Sequence, residues 1–294
     1  MEAEVVNTRL SYSSYTLLKG CQKRYWHYKI NNTPVDSDYN DEKESLTLGK
    51  AFHSLLEGVE HNPNVDKEKM ASVIGLIKSE YQLDDDKTAL IVAMSKQYLS
   101  LREHHHKFSK LAPVAIELKV EDDTFLGFID VVFSDSEGYW YIGDLKTTSR
   151  QSETIKARLE MDSQLNLYSY YKEDIAKMLN LNPDKFSGCL YISVNKTTTK
   201  RKAGETNSSY VSRLMGAIEA RVYVVPIKEE KSNSIKLDFN YHYALTMALR
   251  EGLEPRKNLS YCENYFSPCP YWSQCHGHNY TESNLEYWTT ELEG

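Results

Sequence analysis

FLGFIDVVFSDSEGYWYIGDLKTT, residues Phe125–Thr148, reads as two strands joined by a turn. Phe125, Phe128, Val131, Val132 and Phe133 give the first strand an apolar run, and Tyr139, Trp140, Tyr141 and Ile142 do the same for the second. Ser134–Gly138 supplies turn residues between them. Three residues break the pattern: Asp130, Asp144 and Lys146. Side chains alternate along a strand, so Asp144 and Lys146 share a face with Leu145 opposite. Two carboxylates and an ammonium among bulky apolar neighbours cost much to bury, and a divalent cation between the carboxylates offsets that cost. A cross-strand salt bridge explains the same three residues, and on these alone both readings stand.

Outward from the hairpin, Pro113–Val120 alternates and opens the sheet, while Phe186–Val194 and Ala220–Ile227 read as further strands. Glu153–Asn180 reads as one long helical block closed by Asn182-Pro183, and Phe239–Gly252 as a helix. Ser11–Lys29 reads as a helix capped by Ser11 or Ser13, with Gly20 its weak point. It carries Cys21 and the basic, aromatic cluster Lys23–Tyr28. Asn31–Glu44 reads as a polar loop, and Leu46–Gly58, Lys67–Tyr81 and Lys87–His106 as helices. The histidines 104–106 that end the last helix point in three directions and read as a solvated terminus. Asn195–Ser209 is polar, basic and aperiodic, a loop and a candidate DNA contact. This order predicts an α/β fold with helices on a mixed sheet. We expect one domain over 1–294: a helical block at 46–106, a catalytic core at 113–228, and a module built from 11–30 plus 258–280.

The chain has 294 residues, enough for a sizeable core, and a net charge of −7, which excludes a basic coat protein for DNA. It does not exclude an enzyme whose acidic metal site inflates the negative count. No apolar run reaches the length of a membrane span and the N-terminus lacks a signal-peptide pattern, so a cytoplasmic protein is expected. There is no GxxxxGK[ST] phosphate loop, so no ATP motor is expected.

Hydrolysis of a phosphodiester needs a cation to polarise the phosphoryl oxygen and a water activated near neutral pH. Asp130, Asp144 and the backbone carbonyl of Leu145 are oxygen ligands suited to Mg²⁺ or Mn²⁺, and Lys146 beside them can orient or deprotonate the water or neutralise the transition state. Gln164 and Tyr168, four apart, share a helix face and can hydrogen-bond a catalytic side chain or a phosphate. His53 reads either as a packed histidine or as an imidazole ligand. Cys262, Cys269 and Cys275 lie within fourteen residues and, with Cys21, give four soft ligands for a [4Fe–4S] cluster. Zn²⁺ held by these cysteines with Cys21, His276 or His278 is the other occupant. Cys189, alone in an apolar strand, reads as a core residue.

Together these features resemble the RecB-like branch of the PD-(D/E)XK nuclease superfamily in its iron–sulfur form, which includes CRISPR-adaptation exonucleases and phage exonucleases. The resemblance runs from Ser13 to Cys275. GKAFHSLLEG resembles the histidine motif, which makes His53 a metal ligand. GFID and GDLKT resemble the aspartate and (D/E)XK motifs, with Ile129 where the superfamily name has proline, and Gln164 and Tyr168 match QxxxY. The six residues between Cys262 and Cys269 depart from the commoner spacing of two. The resemblance implies a restriction-endonuclease-like fold and a Mg²⁺- or Mn²⁺-dependent deoxyribonuclease. Its expected role is that of an exonuclease on DNA ends or single strands in replication, recombination or repair. Catalytic roles go to Asp130, Asp144, Lys146, Gln164 and Tyr168, and the metal to His53, Asp130, Asp144 and Leu145. The cluster, on Cys21, Cys262, Cys269 and Cys275, would staple the N-terminal helix to the C-terminal loop. A helicase or recombination protein is a possible partner. The other readings are a non-catalytic nucleic-acid-binding or assembly factor on the same fold, and a zinc-stapled adaptor.

Overall fold

The computed structural model describes residues 9–36, 43–61, 67–148, 155–264 and 267–277. The chain divides into two compact units, Met1–Asp41 with Tyr241–Gly294, and Glu42–Asn240.

In the first unit α1 (Tyr12–Gly20) starts at Ser11, whose side chain accepts the N–H of Ser14. The single helix expected to Lys29 is interrupted. Cys21 is extended at φ −156° and ψ 113°, and α2 (Gln22–Tyr25) then runs into a π-helical turn, Trp26–Ile30. The break has a tertiary cause. Asn258 donates to the carbonyl of Gly20 at 2.8 Å, while Lys23 N–H donates to the Arg256 carbonyl at 3.0 Å. Within this unit the N- and C-terminal segments are thus joined by protein hydrogen bonds.

The second unit begins with α3 (Lys43–His61), α4 (Lys67–Glu80) and α5 (Asp85–His104). In α3, Leu48, Phe52, Leu55 and Leu56 are buried, as their helical spacing predicts. Asp84 caps α5 by accepting the N–H of Lys87. The five-stranded sheet follows the order β1 (Ala112–Glu121), β2 (Leu126–Ser134), β3 (Trp140–Thr148), β4 (Phe186–Asn195), β5 (Ala220–Val225). All neighbours are antiparallel except β3 and β4, which run parallel. This is the mixed α/β sheet flanked by helices that the sequence predicts.

The block expected over Glu153–Asn180 is three helices: α6 (Ile155–Leu159), α7 (Ser163–Tyr170) and α8 (Lys172–Leu179). Asp162 caps α7 by accepting the N–H groups of Gln164 and Leu165. Tyr171 leaves helical geometry at φ −88° and ψ 14°, its hydroxyl donating to Asp122 at 2.8 Å. Residues 149–154 lie outside the described residues. The loop expected to Ser209 gives way to α9 (Asn207–Met215), capped by Thr206, and the helix expected at Phe239–Gly252, α10 (Glu229–Arg250), starts ten residues before Phe239.

One face of the sheet packs Val131, Phe133, Leu145, Leu190, Ile192 and Val194 against residues of α3, α5 and α9, among them Phe52, Met94, Tyr98 and Leu214. On the other lie α7 and α8, with Ile142, Leu165 and Cys189 fully buried. The Cys189 thiol is 3.1 Å from the Ser169 hydroxyl, so it is the core residue its strand implies. Pairing between β2 and β3 ends at Val131–Gly143. A Cβ at position 143 would lie 2.7 Å from Val131, so only glycine lets the strands approach this closely before they part. That parting makes room for the carboxylates.

Candidate active site

Beyond Gly143, β3 pairs only with β4, and Asp130 fills the gap on the β2 side. Its Oδ2 accepts the N–H of Leu145 at 2.6 Å, taking the place of a strand partner. Asp144 is 2 % exposed and faces Asp130 across the gap. Burial pushes the Asp144 carboxyl up to about 7, the nearby Lys146 ammonium only partly offsetting it, and burial raises Asp130 as well. Both effects follow from taking charge out of water.

Lys146 donates from Nζ to Asp144 Oδ1 at 2.7 Å and to Gln164 Oε1 at 3.0 Å. Gln164 donates through Nε2 to the Tyr168 hydroxyl at 3.2 Å, which in turn donates to the carbonyl of Phe128 on β2 at 2.8 Å. One file of hydrogen bonds therefore runs from β2 through α7 to the lysine. It fixes which way the Gln164 amide points, since its oxygen must face the ammonium. Burial alone would lower the Lys146 pKa, but the Asp144 and Asp130 carboxylates outweigh it and hold the ammonium above its usual range.

His53, on α3, places Nδ1 3.8 Å from Asp130 Oδ1. Burial, and then the Lys146 charge, lower its pKa, which favours the neutral imidazole that a metal requires. The sequence-predicted residues Asp130, Asp144, Leu145, Lys146, Gln164, Tyr168 and His53 thus converge on one locus.

Two carboxylates join them: Glu117, which sequence reasoning named as an assisting residue without assigning it to the site, and Glu57, which it did not single out. The flanking pairs Ile116–Val131 and Leu118–Ile129 set Glu117 opposite Asp130, with a left-handed backbone at φ +48°. Burial, then the Asp130 and Glu57 charges, push the Glu117 carboxyl up to about 7. Glu57 lies four residues after His53, on the same face of α3, and that spacing was the available signal. A recess of about 20 Å³ is lined by His53, Glu57, Glu60, Glu117 and Asp130 among others, room for one water or ion. Among the described residues no group of three or more His, Cys, Asp or Glu side chains closes into a metal-holding arrangement. The donor chemistry nonetheless fits a hard divalent cation: buried carboxylates that resist ionisation without a positive partner, beside a neutral imidazole.

In the first unit, Cys262, Cys269 and Cys275 have pKa values raised by burial, and Cys21 raises all three further by charge. All four are free thiols, and among the described residues they do not close into a metal-holding group. His27, inside the basic, aromatic cluster, is 5 % exposed and directs Nε2 at the Cys275 thiol at 3.9 Å. Its ring stacks on Tyr271 and its Nδ1 is 2.9 Å from the Thr33 hydroxyl. Tyr25 is buried too, so of the cluster Lys23–Tyr28 it is chiefly Tyr28 that faces solvent. His276 stacks on Trp272, and His278 lies outside the described residues. Within the basic loop of the second unit, Arg201 forms an ion pair with Asp86 at 2.8 Å and lies over the Tyr210 ring, which makes it an anchor of the loop.

The strands β2 and β3 thus part around two carboxylates, with a lysine two residues beyond the second. The chain belongs to the PD-(D/E)XK nuclease superfamily, whose family model matches residues 9–276. Among solved structures it is similar to a phage-related exonuclease from Haemophilus somnus 129PT, at 11 % identity and a TM-score of 0.31, over 69 % of this chain and 95 % of that one. No curated protein sequence matches it. Nucleases of this superfamily act on DNA and generally use Mg²⁺ or Mn²⁺. No described helix is long and apolar enough to cross a membrane.

Proposed function

We propose that the protein is a Mg²⁺- or Mn²⁺-dependent deoxyribonuclease, acting as an exonuclease on DNA ends or single strands in replication, recombination or repair. The observation that carries this reading is the placement of the Lys146 ammonium between Asp144 and Gln164, beside a gap lined by Asp130 and His53. Asp130, Asp144, His53 and the Leu145 carbonyl would hold the cation, with Glu117 as an added carboxylate. The bound cation supplies Lewis-acid polarisation of the scissile phosphoryl group. Lys146, held by Gln164, presents its remaining N–H to the attacking water or the phosphoryl oxygen. Gln164 and Tyr168 act through Lys146 as positioning residues. Digestion of end-labelled linear DNA and of circular DNA with Mn²⁺ tests this: an exonuclease shortens only the linear substrate.

The same reading takes Cys21, Cys262, Cys269 and Cys275 as ligands of a [4Fe–4S] cluster, with Zn²⁺ the alternative occupant. Supporting it is the packing of the Cys21 segment on the segment that carries the other three cysteines, through the Asn258–Gly20 and Lys23–Arg256 hydrogen bonds. Metal analysis of the purified protein, iron against zinc, decides the occupant.

A further inference from the structure

The active-site gap opens into a cavity of about 620 Å³ whose lining is not uniform. Its carboxylates, Glu57 and Glu117, also line the small recess with Asp130, so the acidic groups gather at the proposed cation site. The other charged groups of the lining are three lysines, Lys146, Lys50 and Lys196. Lys50 lies three residues before His53 on α3 and so shares its face. Lys196 directly follows β4, and its backbone N–H donates to the carbonyl of Thr148 at the end of β3, at 2.6 Å. Its ammonium is half-buried, and loss of hydration lowers its pKa. Tyr81 completes the wall, its hydroxyl 2.8 Å from that of Ser54, which fixes the ring.

We infer that this cavity is a single-strand subsite in which Lys50 and Lys196 bind the phosphates flanking the scissile one and Tyr81 stacks on an unpaired base. The inference rests on the nuclease reading of the site and adds its substrate class. Two ammonium groups on separate walls of one cavity, on α3 and at the end of β4, suit a chain of spaced phosphates better than a lone anion. A cavity of this size takes a ligand on the scale of one or two nucleotides. A duplex carries its phosphates on the outside of a stiff rod, with a persistence length of about 50 nm, and cannot feed a nucleotide into the cavity without unpairing it. A fixed aromatic ring beside a basic track is the usual sequence-tolerant grip on unpaired bases.

The test measures binding by fluorescence anisotropy with Mg²⁺ present, in a Lys146→Ala background so that the oligonucleotide survives. A labelled oligothymidylate is compared with a blunt duplex of equal length across a salt series. The single strand is expected to bind at least tenfold more tightly than the duplex. Lys50→Ala and Lys196→Met, the latter keeping the packed stem, are each expected to flatten the logarithmic salt dependence by about 0.7, one phosphate contact on a single strand. Tyr81→Ala is expected to weaken binding about tenfold, with Tyr81→Phe close to the parent. Unchanged salt slopes in both lysine variants, or equal affinity for the duplex, would overturn the subsite while leaving wild-type cleavage intact. Wild-type protein that neither binds nor cuts DNA would overturn the nuclease reading, and the subsite with it.

Discussion

Lys146 Nζ lies 3.0 Å from Gln164 Oε1, although the two residues are 18 apart and belong to different elements, β3 and α7. The contact exists because Tyr168, one turn on, anchors the glutamine amide to β2 through the Phe128 carbonyl. Removing the anchor should loosen the lysine without removing it. Gln164→Ala is expected to lower the single-turnover rate about tenfold, and Tyr168→Phe several-fold, each corresponding to one hydrogen bond of about 1 kcal/mol or slightly more. Substrate affinity should change little. Rates matching wild type in both variants would mean the file of hydrogen bonds has no part in catalysis.

Gly127 lies beneath the same tyrosine. A Cβ there would sit 2.3 Å from the Phe125 ring and 3.0 Å from the Tyr168 ring. Gly127→Ala should therefore cost about 1–3 kcal/mol of stability and slow cleavage together, since the two rings it crowds, Phe125 and Tyr168, include the one that steadies Gln164. Urea unfolding and rate measurements on the same preparation check both parts.

Lys236 is 6 % exposed and donates to Asp122 at 2.5 Å, to Tyr171 at 2.7 Å and to Thr124 at 3.0 Å. Burial alone would raise the Asp122 pKa, but the bonds from Lys236, Thr124 and Tyr171 outweigh it and hold the carboxyl well below its usual range. A depressed carboxylate contributes stability that is fully present above its unfolded value, about 4, and lost as pH falls toward the folded one. Asp122→Asn should thus be less stable than wild type at pH 7 by about 2 kcal/mol, less than for a fully buried pair because Asp122 is partly exposed. The difference should shrink below about pH 4, the unfolded carboxylate range. Chemical unfolding at a series of pH values measures it, and a difference independent of pH would refute the assignment.

Cys21 and Cys262 are 241 residues apart, so a shared cluster would close a loop whose entropy in the unfolded chain is worth on the order of 5 kcal/mol. Cys21→Ala is expected to lose iron, brown colour and the fold of the smaller unit. The Lys146→Ala protein should keep all three. Iron retained in full by Cys21→Ala would remove Cys21 from the ligand set.

Local pattern carried far in this chain. The apolar runs of β2, β3 and β4 and the helical spacing of α3 are set by which side chains leave water, and they place Asp130, Asp144, Lys146 and His53 on their elements. What escaped depends on partners remote in sequence. The break at Cys21 answers to Asn258, and the break after Tyr170 to Asp122. Glu117 gains meaning only from the β1–β2 register that sets it opposite Asp130. Within the Lys23–Tyr28 cluster, Tyr25 and His27 look like surface residues until the C-terminal loop packs on them; His27 stacks on Tyr271.

The measurement closest to the central claim is cleavage of end-labelled linear DNA by wild-type and Lys146→Ala protein, with Mg²⁺ or Mn²⁺ and with EDTA. Wild type should release labelled nucleotides with either cation and stop in EDTA, while Lys146→Ala, equally folded, should be slower by at least a hundredfold. Normal cleavage by Lys146→Ala, or undiminished cleavage by wild type in EDTA, would contradict the account.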